Sequence, residues 1–172
     1  MIDVEIDDQS TRDLINELKR RMGNLTPVMD AVGQIIQSGT QQRFVDQQAP
    51  DGTPWEALSQ VTLDRRRKAG KGAQILRDTG RLMNSISYRV NGDSVSVFTN
   101  VIYAPTHQLG AQQGAYRASP PIPWGDVPAR PFLGYSASDE DAVLEILQGY
   151  LQANQPLSWW QRLVAGLKRL FP

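Results

Sequence analysis

His107 is the only histidine in this chain and there is no cysteine, so the residue types that most often carry acid–base, nucleophilic or metal chemistry are nearly missing. A hydrolytic triad would need a hydroxyl nucleophile activated by His107, and no Gly-x-Ser-x-Gly turn presents one. A metal site would have to be completed by carboxylates, and no spaced cluster of them suggests one. Neither a Gly-x-x-x-x-Gly-Lys phosphate loop nor a dinucleotide fingerprint occurs. His107 reads as a hydrogen-bonding residue, and the chain as a non-enzymatic protein with no cofactor and no metal. What remains is the chemistry of binding. Between Val61 and Arg81, seven cations (Arg65, Arg66, Arg67, Lys68, Lys71, Arg77 and Arg81) stand against Asp64 and Asp78. Such a cluster suits phosphates or an acidic protein face, and it lacks the interleaved aromatics on which single-stranded bases stack. A solvated basic helix, or a face that meets an acidic neighbour, is therefore preferred to direct nucleic-acid binding. At the other end, LSWWQRLVAGLKRLFP sets Trp159, Trp160, Leu163, Leu167, Leu170 and Phe171 on one face opposite Arg162, Lys168 and Arg169. Adjacent tryptophans are costly to expose and aromatic anchors dominate protein interfaces, so docking onto another protein ranks above packing on its own domain, and both rank above membrane contact.

The elements that must position these groups are legible in the patterning. With 172 residues, 40% of them hydrophobic, the chain suits one domain, and 18 cations balance 18 carboxylates, so no global field steers it toward nucleic acid or anionic lipid. The acidic start is no secretory signal, and no stretch approaches the ~18 apolar residues of a membrane span; a cytoplasmic site of synthesis and folding is expected. Ile2, Val4 and Ile6 alternate with Asp3, Glu5 and Asp7, the pattern of a short edge or added strand. Ser10 with Asp13 marks a helix start, followed by Leu14, Ile15, Leu18 and Met22 up to Gly23. Thr26 before Pro27 marks a second, whose stripe runs through Val28, Met29, Val32, Ile35, Ile36 and Phe44. Gly33 and Gly39 inside it cost ~1 kcal/mol each relative to alanine; the first reading is tolerance by a well-packed helix, the sharper one close approach of another backbone. Ser59 caps a short helix that Gly70 ends. Trp55 anchors the chain after the Pro50–Pro54 turn, and Asp78 or Thr79 caps a stretch through Arg81, Leu82 and Met83.

From Ser85 to Asn100 two alternating runs flank Asn91-Gly92-Asp93, which is a β-hairpin with Asn-Gly supplying positive φ angles. Tyr103 to Phe132 holds six of the eleven prolines and shows no helix or strand period. It reads as a long loop that becomes ordered against a neighbouring subunit or partner. Arg130 can pair there with a carboxylate or with backbone carbonyls. Ser138 with Asp141, and Asp139 and Glu140 in the first turn, open a last core helix to Leu151.

Several words in this order resemble the phage virion morphogenesis family, the tail completion proteins of Mu-like phages. They are Asp51-Gly52-Thr53-Pro54-Trp55; Ile75-Leu76-Arg77-Asp78-Thr79-Gly80-Arg81-Leu82; Tyr103-Ala104 with His107, Gln108 and Gly110; and Ala129-Arg130-Pro131-Phe132-Leu133. The resemblance spans the first helix to about Leu151. It implies a structural protein of the virion, at the head-proximal tail or neck, which assembles in the host cytoplasm with itself, as a ring or in several copies, and with neighbouring tail or head-connector proteins. It also places His107 where no chemistry is needed, and gives Asp51, Gly52, Trp55, Leu76, Thr79, Gly80, Leu82, Tyr103, His107, Gly110, Arg130, Pro131 and Phe132 structural roles. Arg65, Arg66, Arg67 and the apolar face of the last segment are the candidate interface. The expected fold is α+β: an antiparallel sheet on the central hairpin, packed by the long N-terminal helix and the C-terminal helix, with a long Pro-rich loop. Residues 1–153 form the domain and 154–172 a basic amphipathic appendage. The rivals are a nucleic-acid-binding accessory protein using residues 65–71 and a peripheral membrane protein using the last helix.

Overall fold

The computed structural model describes residues 9–112 and 126–153. Within them the order is α1 (Gln9–Met22), α2 (Thr26–Asp46), α3 (Gln60–Lys68), α4 (Arg81–Asn84), β1 (Ser87–Asn91), β2 (Ser94–Phe98), α5 (Ala104–Leu109) and α6 (Ala137–Ala153). The α+β class expected from patterning is the class observed. Helix α2 is the axis of the fold. The hairpin lies against it, α6 packs against it and against α1, and the short α4 abuts it.

Alternation builds the hairpin. Tyr88 pairs with Val97 and Val90 with Val95 on the face toward α2, while Arg89, Ser96 and Phe98 lie on the other face. The loop is Gly92-Asp93, and only Gly92 has a positive φ, +65°. Asn91 instead closes the ladder opposite Ser94. The Asn-Gly signal thus located the turn, but the positive angle belongs to the first loop position alone.

The apolar stripe of α2 is buried through Val28, Met29, Val32, Ile36 and Phe44, as its spacing predicts. Its two internal glycines are there for close approach, not by tolerance. A Cβ on Gly33 would lie inside the Tyr88 ring, and one on Gly39 would overlap the Asp139 carboxylate. In both cases a side chain, not a backbone, comes close.

Helix boundaries differ from expectation at α1, α2 and α6, and at α4, where Gly80 and not Asp78 or Thr79 holds the cap position. Helix α1 already includes Ser10, and Gly23 (φ +68°) follows its last turn. Thr26 lies within α2, with Leu25 at the cap position and the Asn24 side chain accepting from the Thr26 N–H at 3.0 Å. At α6 the reciprocal pair is Ser136 and Asp139, not Ser138 and Asp141: the Ser136 N–H and hydroxyl donate to Asp139 Oδ2, and the Asp139 N–H donates to Ser136 Oγ. Ser59 caps α3 as expected, accepting from the Thr62 N–H.

The stretch from Tyr103 to Phe132 is more ordered at its ends than its composition suggests. Ala104–Leu109 is helical, and Ala111 and Val127 exchange backbone hydrogen bonds of 2.9 and 2.7 Å that close the base of the loop. Pro105 fits because it stands in the first turn of α5, where a missing N–H costs nothing. The expected strand of Ile2–Ile6, the centre of the Pro-rich loop and the segment 154–172, with Trp159, Trp160, Leu163, Leu167, Leu170 and Phe171, lie outside the described residues.

Candidate assembly surface

Several of the residues singled out in the sequence, Trp55, Arg130, Pro131 and Phe132 among them, converge on one aromatic junction. Trp55, Phe44 and Phe132 meet with ring centroids 5.5 Å (Trp55–Phe44, edge to face) and 5.3 Å (Phe44–Phe132) apart, and all three are buried. The indole N–H donates to the Pro131 carbonyl at 2.8 Å, which satisfies the polar end of an otherwise apolar anchor. Asp51 and Gly52 shape the turn that delivers Trp55. Asp51 Oδ1 accepts from the Thr53 N–H at 2.9 Å, an interaction that holds its carboxyl below the usual range, and Gly52 has φ +83°.

The second half of the junction is a clamp built from α5. Gln108 Oε1 accepts from the N–H groups of both Phe132 and Leu133 at 3.0 Å, and its Nε2 donates to the Leu133 carbonyl at 2.8 Å. The Arg130 N–H donates to the His107 carbonyl at 2.7 Å. The Arg130 side chain is buried and spans to the other strand of the junction, donating to the carbonyls of Glu56 and Ala57 at 2.8 and 3.0 Å. Of the two partners open to it in the sequence, backbone carbonyls are the one realised. Gly110 (φ +75°) packs so tightly here that a Cβ would stand 2.9 Å from both Ala129 N and Val127 O.

The basic helix divides. Arg66 points inward, 7% exposed, and donates to the carbonyls of Gly72 and Gln74, so this member of the expected patch is unavailable to a partner. Arg67 pairs with Asp64 at 3.5 Å and Lys71 with Asp78 at 2.9 Å. Arg65, Arg67 and Lys68 are exposed. Asp78 and Thr79 lie at the entry to α4, where Gly80 takes φ +74° at the cap and Leu82 is buried; Leu76, half-buried, holds φ +56°.

What the junction presents outward is apolar. Ile102 is 93% exposed and Leu109 74%, with Tyr103 beside them at 37%, flanking and forming α5. Isolated exposed apolar side chains are ordinary; here two aliphatics and one aromatic are exposed within eight residues, Leu109 at the end of the clamped helix and Ile102 and Tyr103 just before it. Among the described residues no group of three His, Cys, Asp or Glu side chains is placed to hold a metal ion, and no helix is long and apolar enough to cross a membrane.

The profile of the phage virion morphogenesis family matches residues 6–152. The chain belongs to that family. The match covers every element described here to within one residue of the end of α6. A curated relative is the Mu-like prophage FluMu G protein 2 of Haemophilus influenzae, 30% identical over 154 residues, which are 88% of this chain and 97% of that protein. No solved structure matches significantly.

For a virion morphogenesis protein, the most informative residues missed by sequence reasoning are Arg43, Ile102 and Leu109. Arg43 carried a readable signal: it occupies the buried stripe of α2 between Thr40 and Phe44, where a charge has to find a partner. Gln108 was legible as one of the family words, but its clamp on Phe132 and Leu133 was not. His107 itself is largely buried, its ring edge-on to Tyr103 at 5.8 Å, and burial together with the nearby Arg130 pushes its pKa below the ordinary value of about 6.5. The folded state therefore prefers neutral His107. Its contribution to stability is complete above pH ~6.5 and is lost as pH falls from there toward the folded-state pKa. We expect urea unfolding at pH 7.5 and 5.5 to show a larger loss at acid pH in the natural protein than in His107→Gln. Equal losses in the two would show that His107 does not carry this dependence.

Proposed function

We propose that this protein is a structural component of a Mu-like phage that completes the tail and takes part in joining it to the head. The observation that carries the reading is the family match across residues 6–152, supported by the Mu-like prophage relative of nearly equal length. The protein works by presenting surfaces, without catalysis. Exposed Leu109, at the end of the helix α5 that the Gln108 and Arg130 contacts hold, and exposed Ile102, just before that helix, supply apolar side chains for a subunit contact. It acts in several copies at the head-proximal end of the tail, and a closed ring there requires two different patches on each subunit. Direct binding to nucleic acid is the weaker reading, because Arg66 is buried and Arg67 and Lys71 are engaged with carboxylates on their own chain.

Two measurements test this. Light scattering across concentration should give a discrete oligomer, reduced to smaller species by Ile102→Asp/Leu109→Asp with circular dichroism unchanged. In lysates of the encoding phage carrying a stop codon in this gene, electron micrographs should show heads and unjoined or unfinished tails. Complete virions at normal yield would overturn the proposal.

A further inference from the structure

Two helices of this fold carry opposite charge on their outer faces. Helix α3 sets Val61, Arg65 and Lys68 at i, i+4 and i+7 on one exposed stripe, and the buried Arg66 points the other way. Helix α6 contains carboxylates and no cation. Its Asp141, Glu145 and Gln148 form an exposed stripe of the same i, i+4, i+7 spacing, turned away from the buried Val143 and Leu147. At 1.5 Å per residue each stripe is about 10 Å long. The two faces are built on different parts of the subunit. Helix α6 is seated on α1 and α2, whereas α3 is held through Arg66 to the carbonyls of the chain that follows it.

We infer that the basic stripe of α3 on one copy of this chain docks on the acidic stripe of α6 on a second copy, with the two helices antiparallel. That direction sets Lys68 opposite Asp141 and Arg65 opposite Glu145, and lays Val61 beside Gln148. A parallel arrangement would keep one of the two ion pairs and put Val61 against a carboxylate. The antiparallel one also brings the C-terminal end of α3, the negative end of its dipole, next to the positive N-terminal end of α6. Complementary charge selects the partner and its register more than it supplies affinity, so this contact complements the apolar one proposed above. Because the two faces differ, the contact is heterologous and leaves one α3 and one α6 open for further copies. The inference rests on the reading that the protein acts in several copies, and not on its place in the virion.

Light scattering on the full chain with charge reversals on either helix tests it. Arg65→Glu/Lys68→Glu and Asp141→Lys/Glu145→Lys should each weaken self-association about tenfold or more with circular dichroism unchanged. The milder Arg65→Gln/Lys68→Gln should act in the same direction with a smaller loss. Mixed one to one, the two reversed variants should assemble again, because the acidic α3 of the first then meets the basic α6 of the second and the natural pairing forms between the other two faces. Assembly of the natural protein should weaken as salt is added. Reversed variants that assemble like the natural protein would overturn the inference, since both faces are then merely solvated. So would a loss that mixing does not restore, which gives the basic face to a different partner, or a natural protein that is monomeric at every concentration. The role in the tail is decided separately, by the micrographs of the stop-codon lysates.

Discussion

Arg43→Met is expected to lower the unfolding free energy by about 3–5 kcal/mol, the cost of leaving a buried charge without its partner. Arg43 and Asp139 are 5% and 4% exposed and form an ion pair across 96 residues of chain. The guanidinium also donates to Thr40 Oγ1 and to the carbonyls of Phe132 and Gly134 at 3.0–3.2 Å. Burial pulls its pKa down and Asp139 pushes it back up, and an arginine stays charged against that balance. One side chain thus fastens α2, the segment after Phe132 and the first turn of α6. In urea denaturation the double variant Arg43→Met/Asp139→Asn should recover part of the loss, because no uncompensated charge is then left inside. Gly39→Ala should fall in the same class. It would ordinarily stabilise a helix by ~1 kcal/mol, but here the new methyl group displaces the Asp139 carboxylate, and the sign inverts. A single-variant loss under about 1 kcal/mol, with no recovery in the double, would show that the pair is not a stabilising contact.

Trp55→Ala should cost about 3–5 kcal/mol, the range for removing a large aromatic from a core. The indole fills the space beside Phe44 and holds the Pro131 carbonyl, so its loss opens a cavity and leaves a polar group unpaired. Trp55→Phe retains the contact with Phe44 and removes only the hydrogen bond; about 1–2 kcal/mol is expected. The effect should reach the proposed contact surface, since Phe132 and Leu133 are also the residues that Gln108 grips. Limited proteolysis should therefore cut Trp55→Ala faster between Leu109 and Arg130 under conditions where α2 is still helical. Unchanged cleavage there, with reduced global stability, would separate the aromatic junction from α5.

Much of this protein was determined locally. Alternation wrote the hairpin, a 3.6-residue stripe wrote α2, and glycine, proline and serine marked the end of α1, the start of α2 and both ends of α3, because each depends only on side chains a few residues apart. The succession of family words likewise needed no coordinates. The tertiary structure decided what those words do to one another. Whether Arg130 would meet a carboxylate or a carbonyl and whether Gly39 was tolerated or required were settled by residues distant in sequence, Glu56 and Asp139, and whether Arg66 faced water or the chain interior by the turn back of the chain to Gln74 after the helix ends. A charge on a helix carries no mark of its direction when its neighbours are also charged, so α3 read as uniformly basic. The exposure of Ile102 and Leu109 was hidden for a related reason. An aliphatic side chain says that burial is favourable, and only the packing of everything else determines which of them is left outside.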